Sequence, residues 1–163
     1  MRYFAYGSNM SVCRLRARVR SAELLCVATL EGHCLKFHKI GRDGSGKCDA
    51  LETGVPLDKV MGTVYELDTG DKSLLDRIED LGNGYDEKEV VIVTSDGQKL
   101  EAMIYVARNI DPFLKPYHWY KEHVLRGAKE NDLPTDYIQA ISAIESVPDP
   151  DMGRHARETS IYL

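Results

Sequence analysis

Arg2-Tyr3-Phe4-Ala5-Tyr6-Gly7-Ser8-Asn9-Met10 is the stretch around which the rest of the chain can be organised. Arg2 to Ala5 reads as a first strand, and Tyr6-Gly7-Ser8-Asn9-Met10 ends it abruptly with turn-forming residues. Ser11 can then cap a short helix over Val12 to Val19, in which Leu15 and Val19 stand at helical spacing. Arg14, Arg16, Arg18 and Arg20 give this helix a dense positive patch. That patch reads as a solvated helix face or, more sharply, as a surface for an anionic ligand or a partner.

Strands dominate the next stretch of the chain. Ala22 to Leu30, Cys34 to Ile40, Ala50 to Val55 and Val60 to Leu67 all have strand character, and Gly41 to Lys47 reads as a mobile loop or lid. That loop lacks the Gly-Lys-Ser/Thr ending and the spacing of a phosphate-binding loop. Asp68 and Thr69 open a helix through Leu81 whose Leu74, Leu75, Ile78 and Leu81 share one face. Glu87 to Thr94 and Lys99 to Val106 form a predicted hairpin about Ser95-Asp96-Gly97-Gln98. A helix over Tyr117 to Arg126 and another after Pro134 close the domain. The pattern is α+β: a small mixed, curled β-sheet or barrel with flanking helices over residues 1–146, then an irregular tail over 147–163.

Composition narrows the function classes. The 163 residues are 43% hydrophobic and 29% charged, the signature of one globular domain with no need of a disulfide or metal staple. A formal net charge of −5 argues against nucleic acid as a partner. No apolar run approaches the roughly 20 residues of a membrane span, and the N-terminal apolar stretch is too short for a signal peptide, so the expected location is cytoplasmic with no membrane partner. Cys13, Cys26, Cys34 and Cys48 form no Cys-x-x-Cys pair and read as free thiols. His33, Cys34 and His38 cluster, yet a fourth metal ligand at recognisable spacing is missing, so they read as strand residues and no metal is expected.

Two further segments join the N-terminal turn. Phe4-Ala5-Tyr6-Gly7-Ser8-Asn9-Met10 resembles the first signature of the gamma-glutamylcyclotransferase, or AIG2-like, family. Leu75-Asp76-Arg77-Ile78-Glu79 followed by Gly84-Tyr85 is similar to its second, and Tyr120 with Gly127-Ala128-Lys129-Glu130-Asn131-Asp132-Leu133-Pro134 is similar to the C-terminal part of the animal enzymes. The resemblance covers roughly residues 1–146. It departs from the family pattern in two places: Asp80 stands where glycine is common, and the Glu79–Tyr85 gap is about one residue short. It implies a small barrel, no cofactor, a small gamma-glutamyl substrate converted to 5-oxoproline with release of the free amine, and a homodimer as one arrangement found in the family. It also implies Glu79 as the catalytic residue, with Tyr6, Gly7, Ser8, Asn9, Met10, Tyr85 and Tyr120 binding substrate.

The residues suit that chemistry. In such a cyclisation the substrate's own α-amino group attacks its γ-carbonyl, so the protein need only fold the substrate, move a proton and stabilise an oxyanion. On a helical wheel Glu79 lies beside Leu75 at the edge of the apolar stripe, whereas Asp76 and Asp80 point further towards solvent. A half-buried carboxylate has its charged form disfavoured, the setting a proton shuttle uses. Gly7 permits close approach in the turn. Read without the resemblance, Glu79 is a helix-boundary carboxylate, and Tyr117, Tyr120 and Val124 form an aromatic core face. The competing function is a non-catalytic small-ligand-binding or regulatory protein that retains the cavity.

Overall fold

Side chains of opposite parity on the first strand enter two different cores. Phe4 packs in one cluster with Val64, Ala102, Ile104, Val124 and Ile141, while Tyr3 and Ala5 pack in another with Leu15, Tyr65, Leu75 and Tyr105. A strand buried on both faces has neighbours on both edges and cover above and below. The computed structural model, which describes residues 1–162, supplies both.

Its elements in chain order are β1 (Arg2–Ala5), α1 (Val12–Arg18), β2 (Glu23–Glu31), β3 (His33–Ile40), β4 (Gly46–Glu52), β5 (Lys59–Glu66), α2 (Lys72–Glu79), β6 (Tyr85–Thr94), β7 (Lys99–Ala107), α3 (His118–Glu130), α4 (Thr135–Ala143) and α5 (Met152–Thr159). Single 3₁₀ turns occupy Ser8–Met10, Thr69–Asp71 and Ser160–Tyr162. Five strands close a barrel in the order β1-β5-β2-β6-β7, every pairing antiparallel except the parallel closure of β1 on β7 at Tyr3–Met103. The mixed barrel with flanking helices is thus the observed architecture. β3 and β4 stand apart as a two-stranded hairpin.

α3 crosses the turn after β1. It comes so close at Gly127 that a Cβ there would lie 2.5 Å from that of Met10 and 2.6 Å from the Ser11 nitrogen, so glycine sets this helix–turn spacing. No helix among the described residues is long and apolar enough to cross a membrane.

Four expectations change. The tail is ordered rather than irregular: α5 is capped by Asp151, whose side chain accepts from the Arg154 amide at 2.9 Å. Its charges find partners, for Asp149 accepts from Trp119 Nε1 at 2.7 Å and from both Arg154 Nε and Nη2 at 2.6 Å. Ser11 precedes α1 without a side-chain cap bond, its hydroxyl turning instead to Glu130 at 3.4 Å. Arg14 is buried, so the arginine patch is not simply a solvated face. Gly41 to Ser45 form a tight hairpin turn rather than a lid, because Asp43 binds the amide and hydroxyl of Ser45 and the ammonium of Lys47.

Candidate active site

β1 ends at Ala5, and its pairing with β5 stops there too. The chain then folds over the barrel end at Gly7 and enters the Ser8–Met10 turn. Gly7 has φ −114°, a value open to any residue, so its role is space: a Cβ there would stand 3.0 Å from that of Cys48 and 3.5 Å from the Tyr120 hydroxyl. α2 points its C-terminus at the same place and leaves Glu79 on its last turn.

These elements enclose a narrow pocket of about 30 Å³ lined by Tyr6, Gly7, Ser8, Asn9, Glu79, Tyr85 and Tyr120. It therefore brings together all the sequence-predicted site residues except Met10. Met10 is fully buried in the core beneath the turn, and its carbonyl accepts from Tyr65 at 2.8 Å. The correction has a simple cause, since the side chain at the end of a tight turn packs against α3 while its neighbours face the pocket.

Glu79 is held rather than loose. Its Oε1 accepts from Asn9 Nδ2 at 2.9 Å and lies 3.6 Å from Arg18 Nη1, with the side chain 15% exposed. Asn9 is the hub of this arrangement. Its Oδ1 accepts from Arg18 at 3.0 Å, and its Nδ2 also donates to the Tyr3 hydroxyl at 3.0 Å. An amide side chain with both ends bound has one orientation, and so does the carboxylate it grips.

The opposite wall is phenolic. Tyr120 accepts from the Cys48 amide at 3.0 Å, and Tyr85 donates to the Cys48 carbonyl at 2.8 Å. One residue of β4 thus fixes both rings. Tyr6 donates to the Tyr105 carbonyl, and Tyr105 donates to Asp76 Oδ1 at 2.6 Å. Asp76 accordingly faces the barrel end, not open solvent as the helical wheel suggests. Burial pushes the phenols of Tyr6, Tyr85 and Tyr120 well above the ordinary tyrosine range, so they act here as neutral donors and acceptors. The Cys48 thiol is likewise pushed up to about 12 by burial, which disfavours a thiolate nucleophile.

The two strand histidines have partners within the fold, although the buried Nε2 of His33 has none. His38 Nε2 pairs with Asp49 Oδ2 at 2.8 Å, and His33 Nδ1 lies 2.8 Å from the Glu31 carbonyl.

Asp80 follows Glu79 with φ 60° and ψ 48°, the left-handed helix-ending conformation usually given to glycine. It pairs with Arg42 from the β3–β4 turn.

Chain-wide likeness agrees with this geometry. The human protein named gamma-glutamylcyclotransferase is 33% identical over 150 residues, spanning 88% of this chain and 78% of the human one. The bovine protein of the same name is 32% identical over the same length. The chain belongs to the gamma-glutamylcyclotransferase family. The sequence model of the AIG2-like family matches residues 59–141. A solved structure titled gamma-glutamyl cyclotransferase superposes with a TM-score of 0.83 at 30% identity, covering 90% of this chain and 88% of that one.

Beyond the family signatures, the pocket includes Tyr3, Cys48 and Tyr105, which the sequence pattern does not single out. Tyr3 and Tyr105 lie on neighbouring strands, and each reads as core because each is core on its ring and polar only at its tip. Cys48 contributes its backbone, for which no side-chain signal exists. Arg18, singled out only as part of a basic patch, proves to be the cation nearest Glu79.

Proposed function

We propose that the chain cyclises gamma-glutamyl compounds, with Glu79 as its proton shuttle. In this reading the substrate's α-amino nitrogen forms a bond to its γ-carbonyl carbon and gives up a proton to Glu79. The carbon–nitrogen bond to the leaving amine then breaks as Glu79 returns the proton to that nitrogen, so 5-oxoproline and a free amine result. The protein's share is to hold a near-attack conformer and stabilise the oxyanion, since nucleophile and electrophile arrive already joined.

The observation that carries this reading is the Asn9–Glu79 bond, which sets one oriented carboxylate at the mouth of a pocket otherwise lined by neutral phenols and a tight turn. Ser8 and Asn9 are assigned to the glutamyl half of the substrate, with Tyr85 and Tyr120 as neutral donors beside the reacting carbonyl. Four free cysteines among the described residues support a cytoplasmic setting for the reaction.

The test is release of 5-oxoproline from a panel of gamma-glutamyl amino acids and amines by wild type and Glu79→Gln. Losing the shuttle should slow turnover by about 10²–10⁴-fold with the fold intact by circular dichroism. Equal rates would remove Glu79 from the mechanism. Saturable binding with no product from wild type would favour the non-catalytic alternative.

A further inference from the structure

The inner pocket opens into a larger cavity of about 320 Å³, and the two share Ser8, Glu79, Tyr85 and Tyr120. Five cationic side chains face four carboxylates in this vestibule. Arg14 Nη1 meets Glu158 Oε2 at 2.7 Å, and Lys47 Nζ meets Asp43 Oδ2 at 2.7 Å. Arg18 Nη1 stands 3.6 Å from Glu79 Oε1, and Arg42 grips Asp80. Lys39 is the cation left over.

Its position is unusual for a lysine. The residue is only 5% exposed, yet among the described residues it makes no ion pair and donates no side-chain hydrogen bond. Its Nζ lies 4.7 Å from the centroid of the Tyr85 ring and presses against Gly84, where a Cβ would come within 2.7 Å. The bulge in β3 puts it there: Phe37 and His38 together oppose the single residue Cys48 between the Lys36–Asp49 and Lys39–Lys47 pairs. That extra residue breaks the alternation, so Phe37, His38 and Lys39 are all buried in succession. Desolvation pulls the Lys39 ammonium below the ordinary lysine range, opposed by the nearby Glu79 and Asp80 carboxylates. The ammonium keeps an opening to the vestibule and has no carboxylate within ion-pair distance, so an incoming carboxylate can pair with it there. On the same wall Arg14, though paired with Glu158, has a buried Nε without an acceptor.

We propose that Lys39 is a specificity-determining residue whose ammonium receives a carboxylate carried by the leaving-amine half of the substrate. The inference rests on the cyclotransferase reading, in which the glutamyl half fills the inner pocket and the leaving amine extends past Glu79 and Tyr85 into the vestibule. It selects gamma-glutamyl compounds whose amine bears a carboxylate over the same compounds without it.

Gamma-glutamyl-alanine and gamma-glutamyl-ethylamine differ only by that carboxylate and make a direct test. Wild type should favour the acid by about 10–100-fold in kcat/KM, chiefly through KM. Lys39→Met should bring the ratio of the two substrates close to one, and Lys39→Arg should keep most of the preference. A wild-type ratio near one, or a ratio unchanged in Lys39→Met, overturns the proposal. Titration calorimetry on the Glu79→Gln protein separates the two readings, because binding is then seen without turnover. Tighter binding of the acid that depends on Lys39, with no 5-oxoproline from wild type, would sustain the carboxylate site and discard the reaction. Product formed with no Lys39-dependent preference would do the reverse.

Discussion

The inner pocket and the vestibule meet at Glu79 but are held together by different forces. Inside, Tyr6, Tyr85 and Tyr120 are fixed by neutral hydrogen bonds to strand backbone, and Asn9 fixes the one carboxylate. Outside, the walls are ion pairs drawn from α1, the β3–β4 turn, the end of α2 and α5. Buried neutral bonds to a closed barrel are costly to leave unmade and so hold one geometry, whereas the exposed Arg42–Asp80 pair contributes little and can be rearranged; Arg14–Glu158 and Lys47–Asp43 lie deeper and frame it. The lesson is a division of labour: reaction geometry belongs to the barrel end, and substrate selection belongs to the rim.

Breaking the inner half should have the largest effect. Asn9→Ala removes the donor to Glu79 and leaves Tyr3 and Arg18 without their shared partner. A hydrogen bond to a charged group contributes about 1.5–3 kcal/mol. If the bond matters most in the reacting geometry, kcat for 5-oxoproline release should fall by roughly 10–100-fold. KM should rise too, since Asn9 also borders the glutamyl half, and a loss confined to KM would mean that Asn9 only binds substrate.

The outer wall responds to pH instead. His123 is fully buried on α3, with Nε2 2.9 Å from Arg14 Nη1 and Nδ1 2.7 Å from the Tyr162 hydroxyl. The Arg14 guanidinium can only donate, so Nε2 accepts, and the ring is the neutral Nδ1–H form. Burial pushes this histidine down to about 4 from an ordinary 6.5. Between those values the unfolded chain takes up a proton that the folded one refuses, so stability rises with pH across that window and is lost as pH falls through it. Glu158, held below the ordinary carboxylate range by the Arg14 guanidinium it pairs with, acts in the same direction: its contribution is present above its ordinary 4.5 and is lost as pH falls below that. The melting temperature should therefore fall by several degrees between pH 7 and pH 4. His123→Gln should flatten the part of that fall above pH 4.5, and a fall of the same size in the variant would assign it to other groups.

The features legible in the sequence divide along the same line. The strand Arg2–Ala5, its terminating turn, the apolar stripe of α2 as far as Ile78 and the hairpin about Gly97 follow from period and turn chemistry, whereas Leu81, read as the end of that stripe, lies beyond the helix and is exposed. Glu79, Tyr85 and Tyr120 are accessible through the family signatures. Lys39 is not: alternation puts it on the face of Leu35 and Phe37, but its place beside Tyr85 and Gly84 without an ion-pair partner depends on residues brought from elsewhere in the chain. The tail misleads for a related reason: its prolines and charges suggest irregular chain, and what orders it is the arrival of Trp119, Arg14 and His123 from elsewhere to meet Asp149 and Glu158. Local patterns carry the inner site, and long-range ion pairs hide the outer one.

Asp80→Gly would sharpen the contrast with the smallest change. The left-handed conformation at this position costs a non-glycine residue roughly 1–2 kcal/mol, with aspartate among the more tolerant. Glycine removes the strain but frees more of the unfolded chain, which returns about 0.4–1 kcal/mol. The lost Arg42 pair subtracts little, since the arginine side chain is 75% exposed. A net gain near 0.5 kcal/mol should raise the melting temperature by about 1–2 °C. The vestibule would meanwhile hold a second cation without a carboxylate. Its preference for gamma-glutamyl-alanine over gamma-glutamyl-ethylamine should then grow by about 2–5-fold at low ionic strength and shrink back in roughly 0.5 M salt, as a screened charge must. An unchanged preference at low salt would mean that Arg42 turns to solvent when Asp80 is gone, leaving the selection of anionic substrates to Lys39 alone.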